Sequence, residues 1–239
     1  MQKYQAIVMD IRQKITSGES SQGDRLPTTS ELCEEYGVSK ITVKRAMDDL
    51  VTMGLVARRR GSGTYVKGIE GTNTLTGVGN RSHQMRGLVA DGEIASLQVE
   101  SDVHDFTVVK PPTDVARLLN MEPDEFAYFV CRTRYMGGEP YSVEHTYMPI
   151  KVIPDLREKH AQGSIYRYIE NDLGLKIASA HRVVCAVHPS ADVARWLQVE
   201  LQTPVISVRQ VGYLDDGTPF EVSVAEHAPG YEFFSVSTK

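Results

Sequence analysis

The chain has 239 residues and is short of several things. Its three cysteines, Cys33, Cys131 and Cys185, are scattered, odd in number and not in metal-ligand spacing. A disulfide framework is therefore excluded, and free thiols in a reduced compartment are expected. No stretch approaches the roughly 18 apolar residues of a membrane helix, so a helical membrane span is excluded. The start, Met1-Gln2-Lys3-Tyr4, runs into mixed polar sequence with Asp10. No signal peptide is expected, and the expected location is the cytoplasm. The seven histidines (His83, His104, His145, His160, His181, His188, His227) show no HExxH or HxxEH spacing. There is no Gly-x-Ser-x-Gly elbow, phosphate-binding P-loop or dinucleotide fingerprint. No catalytic residue, metal or cofactor is expected.

Net charge is also scarce, at -5, which argues against a generally basic surface. That average hides an asymmetry. Residues 1–68 carry 11 Lys+Arg against 8 Asp+Glu, a balance of +3, which leaves 15 against 23, or -8, for 69–239. Between 37 and 67 there are seven basic residues and two acidic ones. A basic end on an acidic chain suggests a nucleic-acid-facing module joined to something else.

The basic end reads as three helices and a hairpin. Ile7, Ile11 and Ile15, with Val8 beside them, form one apolar helix face that Gly18 ends. Thr28 and Glu31 have capping-box spacing at the start of a second helix, with Leu32 and Tyr36 inward and Gly37 at its end. Ser39 can cap a third helix, whose inner face is Val43, Ala46, Met47 and Leu50 and which Gly54 ends. Two short helices joined by a tight turn form a helix-turn-helix pattern. Strands near Leu55–Arg59 and Thr64–Lys67 follow, with Arg60-Gly61-Ser62-Gly63 as a wing tip. The run Arg58-Arg59-Arg60 reads either as a DNA-facing flank or as a solvated charge run. Lys40, Thr42, Lys44 and Arg45 lie near the exposed N-terminal half of the third helix, where a recognition helix meets the major groove.

These residues resemble the winged helix of the GntR family of bacterial transcription regulators. The likeness rests on Gly23-x-x-Leu26-Pro27, Val38-Ser39-Lys40-Ile41-Thr42-Val43-Lys44-Arg45-Ala46, Gly54-Leu55-Val56 and Gly61-Ser62-Gly63-Thr64-Tyr65-Val66. It implies that Thr28, Lys40, Thr42, Lys44, Arg45, Arg60 and Gly61 contact DNA. Lysine stands at 40 and 44 where the family usually has arginine, which keeps charge but loses the bidentate guanine contact. Ser30 stands where arginine is frequent.

Residues 68–82 are polar and rich in Gly and Thr, and read as a linker. Beyond them the chain repeats itself at an offset of 78. Asp114-Val-Ala-Arg-Leu-Leu-Asn-Met-Glu122 aligns with Asp192-Val-Ala-Arg-Trp-Leu-Gln-Val-Glu200, identical at six of nine positions. Each copy reads strand, helix, long strand, tight turn, strand, with Gly137-Gly138 and Asp216-Gly217 as the turns. Two copies make an antiparallel sheet with packed helices. The differences between the copies are informative. Arg132 and Arg134 align with Gln210 and Gly212, and Glu144 aligns with Ser223. Two arginines at this spacing share a strand face and suit a phosphate or a carboxylate; the alternative is a solvated strand face, against which the difference between the copies counts. Ser164 opens a further helix, with Ile165, Tyr168 and Ile169 inward and Gly174 as its stop. It reads either as a plain cap or as part of an anion site.

This half resembles the UTRA effector domain of the HutC branch of GntR regulators, which has a chorismate-lyase-like fold. The residues are Arg132-x-Arg134, Gly138-Glu139-Pro140, Glu144-x-x-x-Met148-Pro149, Gly163-Ser164-Ile165-Tyr166 and Asp216-Gly217-x-Pro219-Phe220-Glu221. The likeness implies that Arg132, Arg134, Ser164, Tyr166 and Ser82 hold a phosphate while Glu144 and Glu221 address a sugar. The chain departs from the family at Glu226-His227-Ala228-Pro229-Gly230-Tyr231, where an arginine-containing stretch is usual.

The expected fold class is α+β: a winged helix-turn-helix over 1–68, a linker over 69–79, and an antiparallel sheet with packed helices over 80–239. The expected function is that of a homodimeric, ligand-responsive repressor on palindromic double-stranded DNA. A small anionic effector, a phosphorylated sugar or amino sugar, would release it. The alternatives are a carboxylate or amino-acid-derived effector, or an enzyme of the chorismate-lyase-like fold.

Overall fold

The computed structural model describes residues 3–59, 61–67 and 98–231. They fall into two compact units, one within 3–67 and one within 98–231. The expected linker lies outside the described residues.

The first unit consists of α1 (Lys3–Thr16), α2 (Thr29–Tyr36), α3 (Lys40–Thr52), β1 (Val56–Arg59) and β2 (Gly63–Val66). Its helix boundaries are set by short polar residues. Thr28 and Glu31 form a reciprocal capping box, and Gly37 ends α2 at φ 60°, a conformation that costs glycine little. Ser39 caps α3 by accepting from the Thr42 N–H. The apolar faces then close on one core of Ile7, Ile11, Ile15, Leu26, Leu32, Val43, Ala46, Met47 and Leu50, with Val56 and Val66 from the hairpin. Full burial contributes roughly 1.5–3 kcal/mol for each larger member. On the surface, Tyr36 donates to Asp10 and Lys14 bridges Asp10 and Glu35, which ties α1 to α2. The wing pairs Val56 with Val66 through to Arg59 with Gly63. The Arg25 side chain crosses Gly63, where a Cβ would come within 2.8 Å of the Arg25 Nε.

The second unit shows the duplication directly. Its first copy is β3 (Val99–Val109), α4 (Thr113–Leu118), β4 (Ala127–Met136) and β5 (Glu139–Pro149). Then come α5 (Glu158–Gln162), α6 (Ile165–Arg167) and a π-helical turn, Tyr168–Asp172. The second copy is β6 (Ile177–Val187), α7 (Ala191–Leu197), β7 (Val205–Leu214) and β8 (Pro219–His227). The sheet order is β3-β4-β5-β8-β7-β6, and every neighbouring pair is antiparallel. The copies therefore meet at β5 and β8 and mirror one another outward.

Both hairpins are tight. Gly137 and Gly138 have φ of 60° and 87°, as a two-residue turn with the twist of its strands requires. The second hairpin holds the extra residue of its copy, with Leu214 N–H bonded to the Thr218 carbonyl. A register shift recurs at equivalent places, between Arg134 and Tyr135 and between Gly212 and Tyr213. Each makes a β-bulge that leaves one residue, Tyr141 or Phe220, out of the pairing.

One sheet face packs α7 through Val193 and Leu197 against Val143 and Val205. The other carries Tyr128, Val130, Met148 and Phe220 against Ile153, Ala161, Ile165 and Ile169 of the segment after β5. The single helix expected from Ser164 to Gly174 is instead one α-turn followed by the π turn. The Leu173 N–H reaches back five residues to the Tyr168 carbonyl. The expected inward residues, Ile165, Tyr168 and Ile169, are nevertheless buried.

Candidate nucleic-acid interface and effector site

In the first unit, the residues that build the core of α3 also decide what its outer side presents. With Val43, Ala46, Met47 and Leu50 turned inward, Ile41, Lys44, Arg45 and Asp48 fall on the opposite side. Lys40, Lys44 and Arg45 are exposed. The Arg45 guanidinium lies 4.0 Å from the centre of the Tyr4 ring and also donates to the Tyr4 hydroxyl at 3.3 Å, so α1 orients it. Thr42 shares a 3.0 Å hydrogen bond with the Ser39 hydroxyl. Thr28 spends its side chain on the α2 cap. Gly61, at φ 75°, takes a left-handed position in the wing turn that costs glycine little. Arg60 lies outside the described residues. Arg58, part of the basic run, turns back to pair with Asp48 and donates to the Lys44 carbonyl. It cancels the one acidic charge on the outer stripe of α3.

In the second unit, the cross-strand register gathers polar groups on the sheet face that carries Tyr128 and Val130. Arg132 stands opposite Glu144, and Arg134 opposite Ser142. Gln210 stands opposite Ser223 and Arg182, and Gly212 opposite Glu221. Arg132 and Arg134 are both buried. Each guanidinium nitrogen of Arg132 has a partner: Nε and a terminal nitrogen meet the Glu144 carboxylate at 2.8 and 2.7 Å, and the other terminal nitrogen donates to the Ala161 carbonyl at 2.7 Å. Glu144, for which a ligand-facing role was expected, is thus held by Arg132. Burial pushes its carboxyl up, but Arg132 and Arg134 more than offset this and hold it below the usual carboxylate range.

Arg134 is different. Among the described residues it donates to the Gly163 carbonyl at 3.3 Å and has no carboxylate within ion-pair distance. Burial and the neighbouring Arg132 pull its pKa down to about 10, so its positive charge is poorly compensated. Its Nε has no hydrogen-bond partner among the described residues. The same is true of three other buried side-chain atoms, Ser101 Oγ, Ser142 Oγ and His227 Nδ1. The register places these four residues on one rung: Ser101 opposite Arg134, Arg134 opposite Ser142, Ser142 opposite His227. A buried polar atom left unpaired costs roughly 1–3 kcal/mol, so this rung is the least satisfied polar stretch among the described residues of the sheet.

Beside this rung lies a completed network. Glu221 Oε1 accepts from Tyr166 at 3.2 Å, Gln210 at 2.7 Å and Ser223 at 2.9 Å. Gln210 in turn accepts from Arg182 Nε at 2.7 Å. Burial raises the Glu221 carboxyl and pushes the Tyr166 hydroxyl well above its ordinary range. Ser164 caps α6 by accepting from the Arg167 N–H at 3.2 Å. Ser82 lies outside the described residues. His227 sits between two tyrosines, stacked on Tyr231 with ring centres 3.8 Å apart and edge-on to Tyr141. Burial pulls its pKa down to about 4, against the opposing pull of Glu144, so the ring is neutral near pH 7.

Sequence reasoning missed Ser101, Ser142, Gln210 and His227 as members of this face. Only the departure at 226–231 pointed toward His227.

Comparison with known proteins agrees with the two units. The family model described as bacterial regulatory proteins, gntR family, matches residues 3–66, and that of the UTRA domain matches 95–229. The HTH-type transcriptional regulator GmuR of Bacillus subtilis is 34% identical over 227 residues, covering 95% of this chain and 94% of its own. The mannosyl-D-glycerate transport/metabolism system repressor MngR of Escherichia coli is 30% identical over 220 residues, covering 92% and 89%. The crystal structure of the possible transcriptional regulator YydK of Bacillus subtilis superposes with a TM-score of 0.78 at 28% identity, covering both chains fully.

Proposed function

Because this chain belongs to the GntR family of bacterial regulatory proteins and carries a UTRA domain, we propose that it is a repressor of a sugar-utilisation operon, released by a small phosphorylated sugar. It is a DNA-binding transcription regulator and not an enzyme. No helix among the described residues is long and apolar enough to cross a membrane. The protein acts in the cytoplasm, belongs to the HutC branch, and binds a palindromic operator as a homodimer. A second recognition helix doubles the phosphate contacts and reads the second half-site. Thr28, Lys40, Thr42, Lys44, Arg45, Arg60 and Gly61 meet the DNA.

The observation that carries the effector reading is the rung of unpaired polar atoms centred on Arg134. A buried cation without a carboxylate partner suits an incoming anion, and serine hydroxyls beside it suit phosphate oxygens. Arg132, Arg134, Ser82, Ser164 and Tyr166 form the anion end of the site, and Glu144 and Glu221 the sugar end. The sugar class is supported by the name of MngR, which places that relative in a mannosyl-D-glycerate system. The effector lowers operator affinity through linkage, by a coupling of about 1–3 kcal/mol. A thermal-shift screen of hexose phosphates against the matching free sugars tests this, since a ligand of the folded state raises apparent stability. Stabilisation by phosphorylated sugars alone is expected. Stabilisation by amino-acid carboxylates alone, or by none of these compounds, overturns it.

A further inference from the structure

Ile41 is the most exposed large hydrophobic residue among those described, at 81%. Isolated surface apolar residues are ordinary, so exposure alone carries nothing. Its position does. It lies in the first turn of α3, on the side opposite Val43, Ala46, Met47 and Leu50. Helix propensity does not explain it, because a β-branched residue is a poorer helix former than the lysines around it. Core packing does not explain it either.

Its neighbours define what it faces. Lys40 and Lys44 flank it, both exposed, and Arg45 is held alongside by Tyr4. The acidic residue one turn further on, Asp48, is neutralised by Arg58. The outer stripe of α3 is therefore an apolar side chain framed by cations, at the helix end whose dipole favours phosphate. That arrangement is complementary to a major groove, where charges meet the two backbones and the central residue meets base edges. Isoleucine has no donor or acceptor. The one feature of the major-groove edge that it complements is the C5-methyl of thymine.

We propose that Ile41 reads a thymine methyl in each operator half-site and is a specificity-determining residue of this protein. The two flanking lysines position the helix on phosphates, while Ile41 supplies discrimination that neither lysine gives bidentately.

The test uses the full-length protein and an operator obtained by selecting binding sites from random duplex DNA. Each thymine is replaced in turn by deoxyuracil, which removes only the methyl group. One thymine per half-site is expected to weaken wild-type binding about 4-fold when replaced, equivalent to about 0.8 kcal/mol for a buried methyl. Replacement in both half-sites should weaken it about 15-fold. Ile41→Ala should bind the thymine operator as weakly as the wild type binds the uracil one, and should discriminate between the two by less than 2-fold. Lys44→Ala should weaken binding yet keep the full thymine preference. An unchanged melting temperature for Ile41→Ala shows that folding is intact. If no thymine matters to the wild type, or if Ile41→Ala keeps the thymine preference, Ile41 does not read the methyl.

Discussion

The two copies inside the second unit share a backbone and differ in chemistry. Their strands, hairpins and bulges correspond, yet on the polar face the first copy has Arg132, Arg134 and Glu144 where the second has Gln210, Gly212 and Ser223. The first copy thus holds two cations and one anion, which leaves a charge to be met. The second supplies neutral partners that close their hydrogen bonds on Glu221 and Arg182. Duplication allows one half to support the sheet while the other specialises.

Substitutions that make one copy resemble the other, or break the pairing within it, test this division. The largest effect is expected for Arg132→Met, which strands the buried Glu144 carboxylate and should lower unfolding free energy by about 3–5 kcal/mol in urea titrations. Adding Glu144→Leu should recover at least half of that loss, because no uncompensated charge remains.

His227 has Met148 as its counterpart in the first copy. With the folded pKa at about 4 and the ordinary value at 6.5, the unfolded chain takes up a proton in that interval that the folded chain refuses. Stability contributed by neutral His227 is complete above pH 6.5 and declines by about 3 kcal/mol as pH falls toward 4. His227→Met should flatten this part of the profile, measured by thermal unfolding across pH.

Gly212 occupies the place of Arg134. A Cβ there would lie 2.8 Å from the Phe220 ring, which is fully buried. Gly212→Ala should therefore cost about 1–3 kcal/mol, so the second copy cannot take the side chain that the first one uses. Arg134→Met should have the smallest effect on folding, within about 1 kcal/mol, because it removes a poorly compensated buried charge and leaves no partner charge behind. A large loss for Arg134→Met would mean that the arginine serves the fold.

Much of this was legible in the chain itself. Short-range chemistry carried the first unit: Thr28 with Glu31, Ser39 with Thr42, and the spacing of Val43, Ala46, Met47 and Leu50 all act within one or two helical turns. The repeat carried the sheet, since aligned copies fix which strands are equivalent. What escaped was the register across strands. From the Gly137-Gly138 turn alone, Arg132 would face Val143, and Glu144 would point to the opposite side. The bulge at Tyr141 shifts the pairing by one residue and brings Glu144 onto Arg132. Ser101, Ser142 and His227 are brought to Arg134 by three separate pairings, and no local pattern encodes that alignment. The π turn after Arg167 depends likewise on packing under the sheet.

The most direct measurement is operator affinity by fluorescence anisotropy, with and without a hexose phosphate that stabilises the wild type, for wild type and Arg134→Met. The wild type should lose affinity about 5–150-fold on adding the phosphate, as the coupling requires. Arg134→Met should bind the operator as well as the unliganded wild type and ignore the phosphate. An equal response from both proteins would contradict the assignment of Arg134 as the group that meets the anion.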